Sequence, residues 1–584
     1  MNASAEDSPS KLRIGVVVPG LHKAAFGEGL LQYLIFLIRG LTPGVAQLNL
    51  AMRAESVEAF MTWRSHMPAD LQADIVVTGV SHTILSDLWP TPVSDEQRNW
   101  VRSFEAGIDV WFPIQPHYTI LESALKPVVA LFADFVFAEY PTLFPDELFP
   151  KNQLPERVYE ATMKMVLSTA GYICFSEHVK RRQILRHFDI PEDKIFVIPH
   201  APFDYRAIAG ANFEGREAAA ERIREYLRDE PLKWRDAWQE RLLGETLKEF
   251  PFEHAPYVFV STRARPHKNV EIIVRAALAL RRRYSNVKFI VTAPMRWDNP
   301  QDEFTRQVIA HGLHWDIVSV SHTPTTIHAA LYACAALTLH PSPFEGGFPF
   351  TAFEALSMNC PVLLADGAVA RETLPRGSED LFLFSPISPK GLAERIESVI
   401  DARDEVLLRQ QEALRGLGGS LRGNVEKVLG IMRSAIETGP IGLDLATSDA
   451  VVYDAAAPVD LEGLGWHRGE SWGRWASERE AALVYWNPRS NASGALEIRL
   501  NAPPRHPGEV YKGAIKVHGE IAANFVVDGS AGNKISVRIE NIPAGRIELG
   551  IMSDVLRSPS SVDPRSSDPR ELGLGIVSVG PAES

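Results

Sequence analysis

The chain has 584 residues, 45% of them hydrophobic and 23% charged, with a formal net charge of −13 at pH 7. That length exceeds what one hydrophobic core supports and predicts roughly two or three compact domains. The ordinary balance of apolar and charged residues excludes a disordered or fibrous chain, and the acidic charge gives no support to a nucleic-acid partner, which would need a net basic face.

In chain order, LRIGVVV (12–18) is a β-branched run closed by Pro19 and Gly20, and the glycine pair of GEG (27–29) opens an apolar stretch, LLQYLIFLIRGL (30–41). The pattern is strand, glycine loop, helix. The helix is too short to cross a bilayer and carries Gln32 and Arg39, so it is expected to be buried in protein. The alternation recurs at DIVVTGV (74–80), DVWFPI (109–114), PVVALFADF (127–135) and GYICFS (171–176), which predicts a parallel sheet flanked by helices. After IFVIPHAPFD (195–204), the charged, alanine-rich stretch 216–250 reads as a helical insertion. A second alternating unit starts at YVFVSTRARPHKN (257–269), continues through VKFIVTAP, LYACAALTLHPS and PVLLAD, and ends in helices near residue 437. Two doubly wound units in tandem imply a cleft at the carboxyl ends of their strands. The expected fold class is therefore α/β, with Rossmann-like domains over 12–250 and 251–437. From about residue 446 to 584, short runs such as ALEIRLN and KISVRIENI, broken by Gly, Pro, Asn and Ser, predict an antiparallel β-sandwich.

Three widely spaced cysteines, Cys174, Cys334 and Cys360, suit a reducing compartment and argue against a zinc site. The polar, acidic N-terminus reads as carrying no secretory signal, so the expected location is cytoplasmic. Lys180, Arg181, Arg182 and Arg186 form a basic cluster that reads either as a solvated helix face or as a peripheral contact with the inner face of the plasma membrane.

The chemistry concentrates in the second unit. Arg263 and Lys268 flank a tight loop directly after a strand, where Arg as a fork and Lys as a point charge suit an anion clamp. The segment PSPFEGGFPFTAFEALSMNCP (341–361) then joins a carboxylate, Glu345, to paired glycines, Gly346 and Gly347. A helix follows, starting near Phe350 and Thr351 and carrying Glu354. Glycines permit close approach to a ligand, and the helix start offers free N–H groups and its positive dipole end to phosphate. The residues alone leave a second reading open, in which Glu345 caps the helix and Glu354 is a surface carboxylate.

Arg263 and Lys268, followed by the Glu345 to Glu354 segment and PVLLAD, resemble the donor-binding signature of the retaining family-four (group 1) glycosyltransferases of GT-B architecture. The GEG loop, PVVALFADFVFAEYPTLFP and FSEHVKRRQILRHFDIPEDKIFVIPHAPFD resemble that family's N-terminal half, so the resemblance covers roughly residues 12–435. It implies that Arg263 and Lys268 bind the diphosphate of a nucleotide sugar, that Glu345 lies near the transferred sugar, and that Glu354 holds the ribose. Gly27 and Gly29 would approach the donor from the other domain. Two departures stand out. Eight residues separate the glutamates where the family usually has seven, so Gly346 stands in the usual place of the first carboxylate, and Ala133 precedes Asp134 where a histidine is often found. On the acceptor side the candidates are His117, Asp134 and His200. The acceptor itself would be a glycan or lipid-linked hydroxyl.

No Asp-x-Asp occurs in the chain, so no metal or other cofactor is expected and the positive charge must come from protein. Trp466, Trp472 and Trp475 in the C-terminal module read either as core or as a sugar-stacking platform. Two other readings use the same fold: an epimerase or phosphorylase, and a non-catalytic carbohydrate-binding protein.

Overall fold

The computed structural model describes residues 11–18, 29–65, 74–85, 93–136, 154–166, 168–188, 190–229, 247, 249–263, 265–281, 287–295, 303–320, 323–438, 467, 474–487, 495–528, 533–542 and 545–582. The first unit is a seven-stranded parallel sheet of β1 (Leu12–Val17), β2 (Ala46–Arg53), β3 (Ile75–Val80), β4 (Val110–Trp111), β5 (Val128–Leu131), β6 (Thr169–Cys174) and β7 (Ile195–Val197). Its order is β3-β2-β1-β4-β5-β6-β7. The apolar strands β5 and β6 are buried along their whole length, as strands covered by helices on both faces must be. The edge strand β3, by contrast, exposes Val76, Thr78 and Gly79.

The second unit is a six-stranded parallel sheet of β8 (Tyr257–Val260), β9 (Lys288–Val291), β10 (Ile317–Ser319), β11 (Leu337–His340), β12 (Val362–Ala365) and β13 (Leu383–Phe384). Its order is β10-β9-β8-β11-β12-β13. The reversal between β8 and β11 is the switch point at which ligands meet an open parallel sheet. Both α/β units therefore have the expected architecture.

The apolar run after the glycine loop forms the helix Gly29–Gly40, with Leu34, Ile35, Phe36, Leu37 and Ile38 buried. No helix among the described residues is long and apolar enough to cross a membrane. Two helices pack on the unit opposite to the one their place in the chain suggests. Gly215–Asp229 buries Ala219, Ala220 and Ile223 in the core of the second unit, together with Leu331 and Tyr332 of the helix Thr325–Cys334. The last helix, Leu421–Thr438, returns to the first, where Val425, Val428, Leu429 and Met432 share a core with Leu34, Leu37 and Ile38. A side chain at Gly40 would lie 2.4 Å from Val425 Cγ2, so the two helices meet at a glycine.

Among the described residues, the C-terminal module has one short helix, Pro559–Val562, and is built on two four-stranded antiparallel sheets. One runs β14 (Arg474–Trp475), β21 (Gly575–Pro581), β16 (Leu496–Asn501), β19 (Lys534–Ile539). The other runs β15 (Glu480–Asn487), β20 (Gly545–Ser553), β17 (Tyr511–Val517), β18 (Glu520–Val527). Leu496, Ile498 and Val579 of the first join Ile515, Ile547 and Ile551 of the second in one apolar cluster, which continues into Phe132, Phe188 and Ile195 of the first α/β unit. Trp475 is half-buried on β14, and Trp466 and Trp472 lie outside the described residues.

Candidate active site

Loops leaving the carboxyl ends of the second sheet are clipped together by short polar contacts. After β8 the chain reaches a single 3-10 turn, Pro266–Lys268, and Asn269 follows with φ 50°. The Asn269 side-chain amide donates to the Pro386 carbonyl (3.0 Å) and, more weakly, to that of Pro341 (3.4 Å), while Ser342 Oγ donates to the His267 carbonyl (3.1 Å). Lys268 is thereby delivered to the end of β11. Its Nζ lies 2.6 Å from Glu345 Oε1, and the same oxygen accepts from Nε2 of His340, the last residue of β11, at 3.0 Å. A ring that donates at Nε2 is free to accept at Nδ1, and there Thr351 Oγ1 lies 3.0 Å away. The result is a chain of four side chains: Thr351, His340, Glu345, Lys268. Burial pushes the Glu345 carboxyl up, but the Lys268 charge and the His340 bond outweigh it and hold it well below the usual carboxylate range.

The opposite wall comes from the first unit. Asp134, just beyond β5, faces a hollow that Val136, His178 and Gln183 line on one side and Phe344, Glu345 and Val369 on the other. Asp134 keeps an exposed surface in the hollow, yet the surrounding walls, which limit its hydration, and then the charge of Glu345 push its carboxyl up, against the pull of Lys268 and Arg265. The two domains touch at the paired glycines. Ser176 Oγ donates to the Gly346 carbonyl (2.9 Å), and a Cβ on Gly346 would lie 1.7 Å from the Ala133 oxygen. A Cβ on Gly347 would lie 2.7 Å from Phe175 Cβ and 2.8 Å from His200 Cε1. At these two positions the absent side chains admit the backbone of the other domain.

His200 is part of that contact. Its Nδ1 donates to the Phe348 carbonyl at 2.7 Å, and its ring stacks on Phe350 at 4.0 Å. Phe350 in turn stacks on Phe36 of the first unit at 4.6 Å. Burial brings the His200 pKa to about 4 despite the Phe348 carbonyl and Glu345, so the ring is neutral near pH 7. His117 is buried beside Tyr118, with its pKa lowered to about 3 by burial, and lies outside the lining of the hollow.

Glu354 is 6% exposed, on the helix Phe350–Ser357. Tyr332 Oη donates to its Oε2 at 2.7 Å, and burial raises its pKa to about 7 against that bond. Arg263 is exposed on the loop after β8, Gly29 is the first residue of its helix, and Gly27 lies outside the described residues. The structure thus brings Lys268, Glu345, Thr351 and Asp134 together, and it places His200, Phe350, Gly346 and Gly347 at the domain contact.

Two participants escape sequence reasoning. His340 ends a buried strand and reads as core, although its place five residues before Glu345 is a signal. Glu372, on the helix Ala368–Thr373, accepts from the backbone N–H of Glu177 (2.7 Å) and His178 (2.8 Å) across the domain boundary. Among the described residues, no group of three His, Cys, Asp or Glu side chains is arranged to hold a metal ion.

Residues 255–402, which hold the whole Lys268–Glu345 cluster, match the family model described as glycosyl transferases group 1. The fold has GT-B architecture, and the match to the group 1 glycosyltransferase family, confined to the second unit, supports a glycosyltransferase. No curated protein matches the chain. Among solved structures, Anabaena HepE in complex with UDP and glucose is similar at 15% identity, over 72% of this chain and 100% of that one, with a TM-score of 0.51. Sucrose-phosphate synthase from Thermosynechococcus elongatus aligns over 73% of this chain and 99% of its own at 13% identity, with a TM-score of 0.49.

Proposed function

We propose that the cleft binds a nucleotide-diphosphate sugar and transfers the sugar, with retention of configuration and without a metal ion, to a hydroxyl of a glycan or lipid-linked acceptor. The observation that carries this reading is the Lys268 ammonium, fixed with His340 on Glu345 at the end of β11, where Glu345 lines the hollow that Asp134 faces. In the reaction the bond from the anomeric carbon to the diphosphate breaks and one to the acceptor oxygen forms. Negative charge grows on the leaving diphosphate, and in this reading Lys268, Arg263 and the start of the helix Phe350–Ser357 meet it. The acceptor proton passes to a diphosphate oxygen. Glu345 accepts hydrogen bonds from hydroxyls of the transferred sugar, Glu354 from those of the ribose, and Asp134 orients the acceptor.

UDP-glucose is the first donor to try, since the similarly folded Anabaena protein is in complex with UDP and glucose. Polysaccharide assembly at the inner face of the plasma membrane fits the reading, with Arg181, Arg182 and Arg186 exposed for contact with anionic lipid. The test is release of nucleoside diphosphate from a donor panel with and without glycan acceptors, with the anomer of the product read by NMR. Acceptor-dependent release with retention is the expected result, and it should persist in chelator. Activity that vanishes in chelator and returns only with a divalent metal would contradict the metal-independent mechanism.

A further inference from the structure

We infer that Glu345 is a resident counter-anion on Lys268, held there by His340 and Thr351, which an incoming diphosphate must displace. The inference rests on the reading of Lys268 as the diphosphate anchor and goes beyond it. A single oxygen, Glu345 Oε1, takes both the Lys268 ammonium at 2.6 Å and His340 Nε2 at 3.0 Å. Thr351 fixes the far side of the His340 ring at 3.0 Å, so the carboxylate is aimed by a chain of hydrogen bonds rather than resting on the lysine by chance. Both partners of the ion pair are about one-quarter exposed, 22% and 23%, which leaves them reachable by a solute while sparing the pair from full solvent screening.

The same carboxylate cannot serve two places. While it neutralises Lys268, it is held back from sugar hydroxyls, and the ammonium charge is hidden from an incoming anion. A diphosphate carries more charge than one carboxylate and has the exposed Arg265, whose charge is felt at Asp134, as a second cation on the same loop, so it can displace Glu345 where a weaker anion fails. Displacement then frees Glu345 to turn toward the sugar attached to that diphosphate, which couples clearing of the anchor to recognition of the donor. His340 is a positioning residue in this scheme and acts through Glu345.

The test is calorimetric titration of the full-length protein with sodium pyrophosphate in the absence of divalent metal. Glu345→Gln should bind pyrophosphate about tenfold more tightly than wild type, equivalent to 1.4 kcal/mol. Glu345→Ala, which has no polar group to misplace, should show the same gain, and His340→Ala a smaller gain in the same direction. Adding Lys268→Ala to Glu345→Gln should abolish the gain. Equal or weaker binding by both Glu345 variants would overturn the counter-anion role. If Lys268→Ala alone still weakened pyrophosphate binding in that case, the anchor reading would stand without it. A gain that survived Lys268→Ala would overturn both.

Discussion

Relative to wild type, replacing Glu354 by glutamine should become progressively more favourable to stability as pH rises from about 4.5 to about 7. Glu354 is 6% exposed, and its pKa is raised from 4.5 to about 7. A carboxyl raised in the folded state binds its proton more tightly there than in the unfolded chain. It therefore costs nothing below pH 4.5, and stability is lost as pH climbs to about 7 and the buried group is forced to ionise. The interval of roughly 2.5 units at 1.36 kcal/mol each makes the ionised form cost about 3 kcal/mol above neutrality. Glutamine keeps an oxygen for the Tyr332 hydroxyl and cannot ionise. It also buries an amide NH2, whose cost does not depend on pH. The informative quantity is thus the difference between two pH values: relative to wild type, Glu354→Gln should gain about 3 kcal/mol on going from pH 4.5 to pH 8.5. In thermal melts this is a relative rise of several degrees for the transition of the second domain. A stability offset that is the same at both pH values would refute the reasoning, because it would mean that Glu354 is not carrying a buried charge at pH 8.5.

Other perturbations follow from the same geometry. Gly346→Ala puts a Cβ into the Ala133 carbonyl, 1.7 Å away, so the domain contact must open at a cost of about 1–3 kcal/mol, visible as a lower melting midpoint and lost turnover. An unchanged midpoint would show that the contact is not made in solution. Glu372→Ala removes the acceptor for two backbone N–H groups across the boundary, worth about 1 kcal/mol, and should enlarge the radius of gyration in small-angle scattering, with Glu372→Gln intermediate. An unaltered scattering curve would leave Glu372 without a role in holding the domains. If ribose hydroxyls bond to ionised Glu354, donor affinity in wild type should rise with pH up to about 7 and level off above it, a dependence that Glu354→Gln abolishes.

Much of the fold was legible because its signals are local. Buried parallel strands write themselves as unbroken apolar runs, as at VVAL in β5 and VLLA in β12, and both α/β sheets could be expected from those runs and the helices between them. The destinations of the helices Gly215–Asp229 and Leu421–Thr438 were not legible, because an amphipathic face states that it is buried and not against what. In the site, Lys268 and Glu345 could be chosen from charge, loop position and resemblance. His340 could not, because a histidine closing the strand LTLH looks like core until the fold sets it beside a residue five positions on. Gly346 and Gly347 illustrate a related limit. Paired glycines announce a close approach, and only the structure shows that the neighbour is Ala133, Phe175 and His200 of the first domain.

The central claim, that Lys268 anchors the diphosphate of a nucleotide sugar, is tested most directly by thermal-shift titration of wild type and Lys268→Ala with a panel of nucleotide-diphosphate sugars. A ligand that binds only the folded state raises the midpoint with the logarithm of its concentration over its Kd. The account predicts such a rise for at least one donor in the wild type and its loss in Lys268→Ala. A donor that stabilises both proteins equally would contradict it.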